Sequence, residues 1–223
     1  MQTEIMKFAR YFRIFSNRNR FKIIEILGYT SEPLCVGDLA RRGNIPMSKI
    51  SDQLMVLRKE DIVRCEKKST KVFYVLNKEK VRKVLDDYLA MVKTHLVLIQ
   101  AGQTLKEGQS SEAPIAMKPL VNIEARETAQ QIKYEAGNQS ETVREIFAAL
   151  ANETRCEALV RLAEKEQFVN EMCEKFYLEQ PTVSLHLNML KKVGLVNSRK
   201  KSLKVYYNLR MEALEKAISS FLK

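Results

Sequence analysis

No apolar run in this chain is long enough to cross a bilayer, which excludes a membrane span. The opening stretch MQTEIMKFARYFRIF breaks its apolar residues with Lys7, Arg10 and Arg13, so it lacks the uninterrupted core of a secretory signal, and a cytoplasmic location is expected. Cysteines number four, none in a CxxC pair, too sparse for a disulfide framework; buried free thiols are the expected state. The two histidines, His95 and His186, do not stand at the HxxxH spacing of a metal-binding helix. Also missing are a phosphate-cradling glycine loop, a paired acid and base, and a nucleophile with a base partner. The expectation is a protein that is not an enzyme and takes no cofactor.

What is present is a soluble composition, 45% hydrophobic and 29% charged, spread over 223 residues, enough for two small domains each with its own core. The formal charge of +11 is uneven. Residues 1–100 hold 20 Lys/Arg against 11 Asp/Glu, residues 101–140 hold 4 against 5, and residues 141–223 hold 14 against 11. Basic outer thirds flanking a near-neutral middle attract polyanions, either nucleic acid or an anionic surface.

The stretch Ala101 to Pro119 (AGQTLKEGQSSEAPIAMKP) gathers Gly, Ser, Gln and Pro without apolar period and reads as a linker. It divides the chain into residues 1–100, 101–119 and 120–223. Ahead of it, Val81, Leu85, Tyr88, Val92, His95 and Ile99 fall at steps of four and three, one face of a long helix from about Lys78 to Gln100. Beyond it, Leu120 to Glu135 shows weaker helical spacing, and Ser140 is placed to cap a helix ending at Leu150.

Laid over each other, the two halves repeat. RFKIIEIL from Arg20 falls on RCEALVRL from Arg155, with Asn17 and Asn152 in matching cap positions. MSKISDQLMVLRKEDIV from Met47 falls on QPTVSLHLNMLKKVGLV from Gln180, and KKSTKVFY from Lys67 on KKSLKVYY from Lys200, identical at six positions of eight. In each copy a short helix (about Val36 to Arg41; Val169 to Lys175) precedes a longer one, the outline of a helix-turn-helix. Ile50, Leu54 and Leu57, like Val183, Leu187 and Leu190, are spaced to face a core. The other faces carry Met47, Lys49, Asp52 and Gln53 in one copy and Gln180, Thr182, Leu185 and His186 in the other. Such side chains reach base edges in a major groove, while Ser51 and Ser184 suit phosphates or bases. Each copy then predicts a basic hairpin (Ile62 to Cys65 and Lys71 to Leu76; Leu195 to Ser198 and Lys204 to Leu209). Its Lys67, Lys68 and Lys71, or Arg199, Lys200, Lys201 and Lys204, would neutralise phosphates as a wing. The expected fold is mainly α with small β wings: tandem winged helix-turn-helix domains joined by long helices and a linker.

QPTVSLHLNMLKKVGLV followed by KKSLKVYYNL, with LANETR upstream, closely resembles the arsenic-repressor-like (ArsR/SmtB) winged-helix family; the first copy resembles it more distantly. The resemblance implies that Gln180, Thr182, Ser184 and His186 read DNA, with Lys49, Ser51 and Gln53 inheriting that role. Many family members sense metals through a Cys-x-Cys pair at the start of the short helix. This chain has Cys35 but Gly37 where the second thiolate belongs, and Phe168 and Asn170 in the other copy, so no metal site is expected. Cys35 and Cys65 would form a redox pair only if wing strand and short helix approached each other; packed thiols are the stronger expectation, and Cys156 and Cys173 belong to the core. His95 reads as a packed interface residue with no partner in view.

Family members dimerise through their first and last helices, and this chain carries both sets. The implied assembly is an intrachain pseudo-dimer burying the faces of Ile5 to Phe15, Val81 to Ile99, Val143 to Leu150 and Leu214 to Leu222. A homodimer with four reading heads is the competing assembly. The expected partner is double-stranded DNA, not membrane, and the expected role is sequence-specific regulation of transcription. The alternatives are a non-specific architectural binder or an adaptor that uses winged-helix domains for protein contacts.

Overall fold

The computed structural model describes residues 1–103, 129–202 and 204–221. The first half runs α1 (Gln2–Ser16), α2 (Arg18–Gly28), β1 (Leu34–Cys35), α3 (Val36–Gly43), α4 (Met47–Lys59), β2 (Val63–Lys68), β3 (Lys71–Leu76) and α5 (Lys78–Gln103). The second repeats that order as α6 (Ala129–Leu150), α7 (Glu153–Glu164), β4 (Gln167–Phe168), α8 (Val169–Phe176), α9 (Gln180–Lys192), β5 (Val196–Lys201), β6 (Lys204–Leu209) and α10 (Met211–Ser220). Each half is a winged helix-turn-helix. Its antiparallel sheet has the order β1-β3-β2 or β4-β6-β5, in matching register.

Local chemistry sets these boundaries. Asn17 and Asn152 hold extended backbone ahead of α2 and α7, and their side-chain oxygens accept from the amides of Asn19 and Arg20, and of Arg155. The short helices end in left-handed residues, Asn44 (φ 50°) and Tyr177 (φ 53°), after which Ile45 and Leu178 donate back to the Ala40 and Cys173 carbonyls. Asparagine suits that conformation, whereas tyrosine pays about 1–2 kcal/mol for its Cβ. Tyr177 is 94% exposed, so packing recovers little of that cost. Tyr177→Gly is therefore expected to raise stability by about 0.5–1 kcal/mol, read as a higher urea midpoint. An unchanged or lower midpoint would mean that the ring has a packing role.

The two halves share one core. α1 packs on α6 and α7, α5 on α7, and α10 on α5 and α6. At the centre, Phe147 from α6 lies 5.5 Å from Phe12, 5.7 Å from Phe15 and 4.9 Å edge-on from Phe221, by ring centroids. Tyr88 of α5 is fully buried, meets Phe12 edge-on at 4.9 Å, and donates its hydroxyl to the Cys156 carbonyl at 3.3 Å. Burial pushes the Tyr88 phenol and the Cys156 thiol well above their ordinary ranges, so both stay neutral. The open ends of the central helices are closed reciprocally. Arg13 donates to the Ala151 carbonyl beyond α6, and Arg144 to the Ser16 carbonyl at the end of α1.

Several expectations need correction. α6 starts at Ala129, so Ser140 lies within a helix instead of capping one; its hydroxyl donates across the interface to Glu25, a tertiary contact overriding local propensity. α5 runs to Gln103, past the expected start of the linker, and the rest of that stretch, together with Leu120 to Thr128 and Leu222, lies outside the described residues. His95 does have a partner: its Nδ1 is 3.0 Å from Glu164 Oε1 at the end of α7. Cys35 and Cys65 cannot pair, because β3 runs between their strands and two strand spacings put them roughly 10 Å apart, beyond the reach of a disulfide. Cys35 Sγ instead lies 3.0 Å from Asp38 Oδ2. Cys173 is half-buried, less enclosed than expected.

Candidate nucleic-acid interface

Each reading helix is fixed through one apolar stripe. Ile50, Leu54 and Leu57 of α4, and Val183, Leu187 and Leu190 of α9, are buried, which leaves the opposite faces in solvent. Pro181 suits the first turn of α9, where a missing N–H costs no helical bond. Of the expected reading residues, Lys49, Gln180 and Thr182 are exposed beside Met47 and Leu185, which are 58% and 54% exposed. Ser51 is exposed but donates its hydroxyl to the Met47 carbonyl at 3.1 Å, and Ser184 is half-buried. Asp52 is also exposed and sets a negative charge on the first reading face.

Gln53 and His186 occupy matching positions, and both are half-buried against an arginine at the start of the preceding long helix. Arg20 Nη1 donates to Gln53 Oε1 at 2.9 Å. Arg155 Nη1 lies 3.4 Å from His186 Nδ1 and 3.3 Å from Met189 Sδ. Burial, and then the Arg155 charge, hold the His186 imidazole below its ordinary pKa and so keep it neutral. The two arginines escaped the sequence reading as site residues. Their signal was there, since they head the repeated blocks RFKIIEIL and RCEALVRL.

The wings follow directly, with α4 packed on β2 and α9 on β5. Both turn through a left-handed serine, Ser69 (φ 55°) or Ser202 (φ 54°), and both face lysine across from lysine at the tip, Lys68 opposite Lys71 and Lys201 opposite Lys204. Like charges directly opposite each other weaken a hairpin. Found twice, the arrangement is what a polyanion partner would relieve. The basic residues are not equivalent, however. Lys67, Lys71, Lys200 and Lys201 make no ion pair among the described residues, while Lys68 reaches Glu66 at 3.2 Å. Lys204 lies over the Phe168 ring at 4.6 Å, and Arg199 is paired with Glu166, whose carboxyl it holds below the usual range. No group of three or more His, Cys, Asp or Glu side chains placed to hold a metal ion occurs among the described residues.

Two helix-turn-helix units, each with an exposed reading face and a lysine-tipped hairpin, define a tandem winged-helix protein. The family profile described as "Bacterial regulatory protein, arsR family" matches residues 17–64 and again 152–198. The chain is 30% identical over 103 residues to the transcriptional repressor SmtB homolog of a Synechocystis strain, covering 45% of this chain and 76% of that protein. It is 36% identical over 74 residues to the HTH-type transcriptional regulator KmtR of Mycobacterium tuberculosis and 39% identical over 64 residues to the transcriptional activator HlyU of Vibrio cholerae. Those matches span 33% and 29% of this chain, and 57% and 59% of the respective relatives. The chain belongs to the arsR family of bacterial regulatory proteins, and it carries the family's unit twice.

Proposed function

We propose that the chain is a sequence-specific double-stranded-DNA-binding transcription regulator whose two unlike reading heads work together as an intrachain pseudo-dimer. The observation that carries this reading is the repeat of an exposed reading helix followed by a hairpin tipped with facing lysines. The named relatives, a repressor, an activator and a regulator of transcription, support the same role. In this reading the first module runs through α5 to Gln103, the second is 120–223, and the residues between join them. Among the described residues, α1, α5, α6 and α10 pack on one another within the chain and bury Phe12, Phe15, Tyr88, Phe147 and Leu214 there, which supports the intrachain pairing.

The contact residues in this reading are Lys49, Ser51, Gln53, Lys67, Lys68 and Lys71 from the first head. The second head supplies Gln180, Thr182, Ser184 and His186, with Arg199, Lys200, Lys201 and Lys204 on its wing. Because the two faces differ, the half-sites differ too, spaced by about one helical turn. Loss of the family's thiolate pair makes metal sensing through that pair no part of the function: Cys35 faces Asp38, and Gly37 offers no ligand.

Selection of bound duplexes from a random pool tests the proposal. The expected yield is one site with two unlike halves that survives competition from bulk genomic DNA at physiological salt. Recovery of no preferred sequence would favour a non-specific architectural binder. Absence of DNA binding altogether would favour a protein-contact adaptor.

A further inference from the structure

Arg20 and Arg155 make the same set of contacts in the two halves. Arg20 donates through Nε to the Ile14 carbonyl at 2.9 Å and through Nη2 to the Arg13 carbonyl at 3.2 Å. Arg155 donates through Nε to the Ala149 carbonyl, and through Nη2 to the Ala148 carbonyl at 3.3 Å. These are terminal carbonyls of α1 and α6, so two nitrogens of each guanidinium are held by main chain at a helix end. The third nitrogen is thereby aimed at the reading helix. In the first head it meets Gln53 and in the second His186, residues of different chemistry that share one property: each has one atom that accepts and another that donates.

An arginine only donates. Whatever faces it must therefore turn its accepting atom inward, Oε1 for the glutamine and Nδ1 for the histidine. A neutral imidazole with Nδ1 as acceptor carries its proton on Nε2, so the outward nitrogen is a donor. A glutamine with its oxygen held inward presents its amide NH2. Met189 Sδ, the other neighbour of Arg155 Nη1, is a weak acceptor and does not compete for this role.

We infer that Arg20 and Arg155 are positioning residues that set base preference, by forcing Gln53 and His186 to present hydrogen-bond donors to the major groove and so to favour guanine or thymine over cytosine. Guanine offers O6 and N7 and thymine O4 as acceptors, whereas the cytosine edge offers an N4 donor. Two unlike side chains are thus given one reading rule by a residue that need not touch DNA. This rests on the proposed function, since it refines how the same faces read.

The test is selection from random duplexes with the full chain, as wild type, Arg155→Met, Arg20→Met and His186→Gln. For wild type the expected result is enrichment of guanine or thymine over cytosine by about tenfold at one position in each half-site. In Arg155→Met the enrichment should fall to about twofold or less at the His186 position only, because the freed imidazole can present either nitrogen outward. The half-site read by the first head should be unchanged, which also reports that the variant is folded. Arg20→Met should do the same at the Gln53 position. His186→Gln should keep the preference, since the arginine still takes the acceptor inward. Preference retained in full after both arginine changes, or lost uniformly across a half-site, would overturn the inference while leaving sequence-specific binding intact. A wild-type chain that selects nothing would instead remove the functional reading beneath it.

Discussion

Replacing Lys67, Lys71, Lys200 and Lys201 together by alanine is expected to flatten the dependence of log affinity on log salt by about 3.6, or about 0.9 for each phosphate left without its lysine. DNA carries condensed counterions, and every lysine that neutralises a phosphate releases one; the slope therefore reports the number of neutralised phosphates directly. These four residues sit on the two wing hairpins and are exposed. The weakening should be similar on specific and non-specific DNA, because phosphate contacts carry no sequence. Arg199 supplies an internal contrast. Its guanidinium is already paired with Glu166, so Arg199→Ala should move the slope by clearly less than a free lysine does. The measurement is binding titration from low to physiological salt on one duplex. An unchanged slope in the fourfold variant would take the wings out of the DNA interface.

Phe147→Ala is expected to cost about 3–5 kcal/mol, because the ring is fully buried and the cavity it leaves cannot collapse among other rings. The consequence should reach beyond its own half. Phe147 belongs to α6, yet Phe12, Phe15 and Phe21 of the first half pack around it, together with Phe221. Both halves are therefore expected to lose stability in one urea transition, with a melting temperature lower by roughly 10 °C for a chain of this size. A cost under about 1 kcal/mol, or a transition confined to spectroscopic probes in the second half, would show that the halves fold as separate bodies.

Periodicity and repetition read the fold from sequence where the pattern was long enough. Asn17 and Asn152 do cap α2 and α7, and Lys71–Leu76 and Lys204–Leu209 are the second wing strands. Two-residue strands such as Leu34–Cys35 are too short to show alternation, and only the finished sheet reveals them. That strand also decides the fate of Cys35, since pairing with β3 sets it on the far side from Cys65. His95 and Glu164 are 69 residues apart, and Ser140 and Glu25 115, so these partners follow from docking and from no local signal. At the candidate interface the exposed faces and basic tips were legible, because solvent-facing positions follow from helical and strand period. What was not legible is how side chains spend their bonds: that Gln53 and His186 face half-buried arginines, that Arg199 is held by Glu166, and that Lys204 rests on Phe168.

Asymmetry distinguishes this arrangement from a symmetric pair of single modules. The two reading faces carry Lys49, Asp52 and Gln53 against Thr182, Leu185 and His186, at matching positions on α4 and α9. A chain that brings both faces to one duplex gains from tethering, since the second face engages at an effective concentration on the order of millimolar. It also gives up palindromic symmetry.

Native mass of the complex on a selected duplex is the sharpest test of two unlike heads working from one polypeptide. The expected value is the mass of the duplex plus one chain of 25.8 kDa, on a site whose halves are unlike. A mass of duplex plus two chains on a palindrome would contradict it.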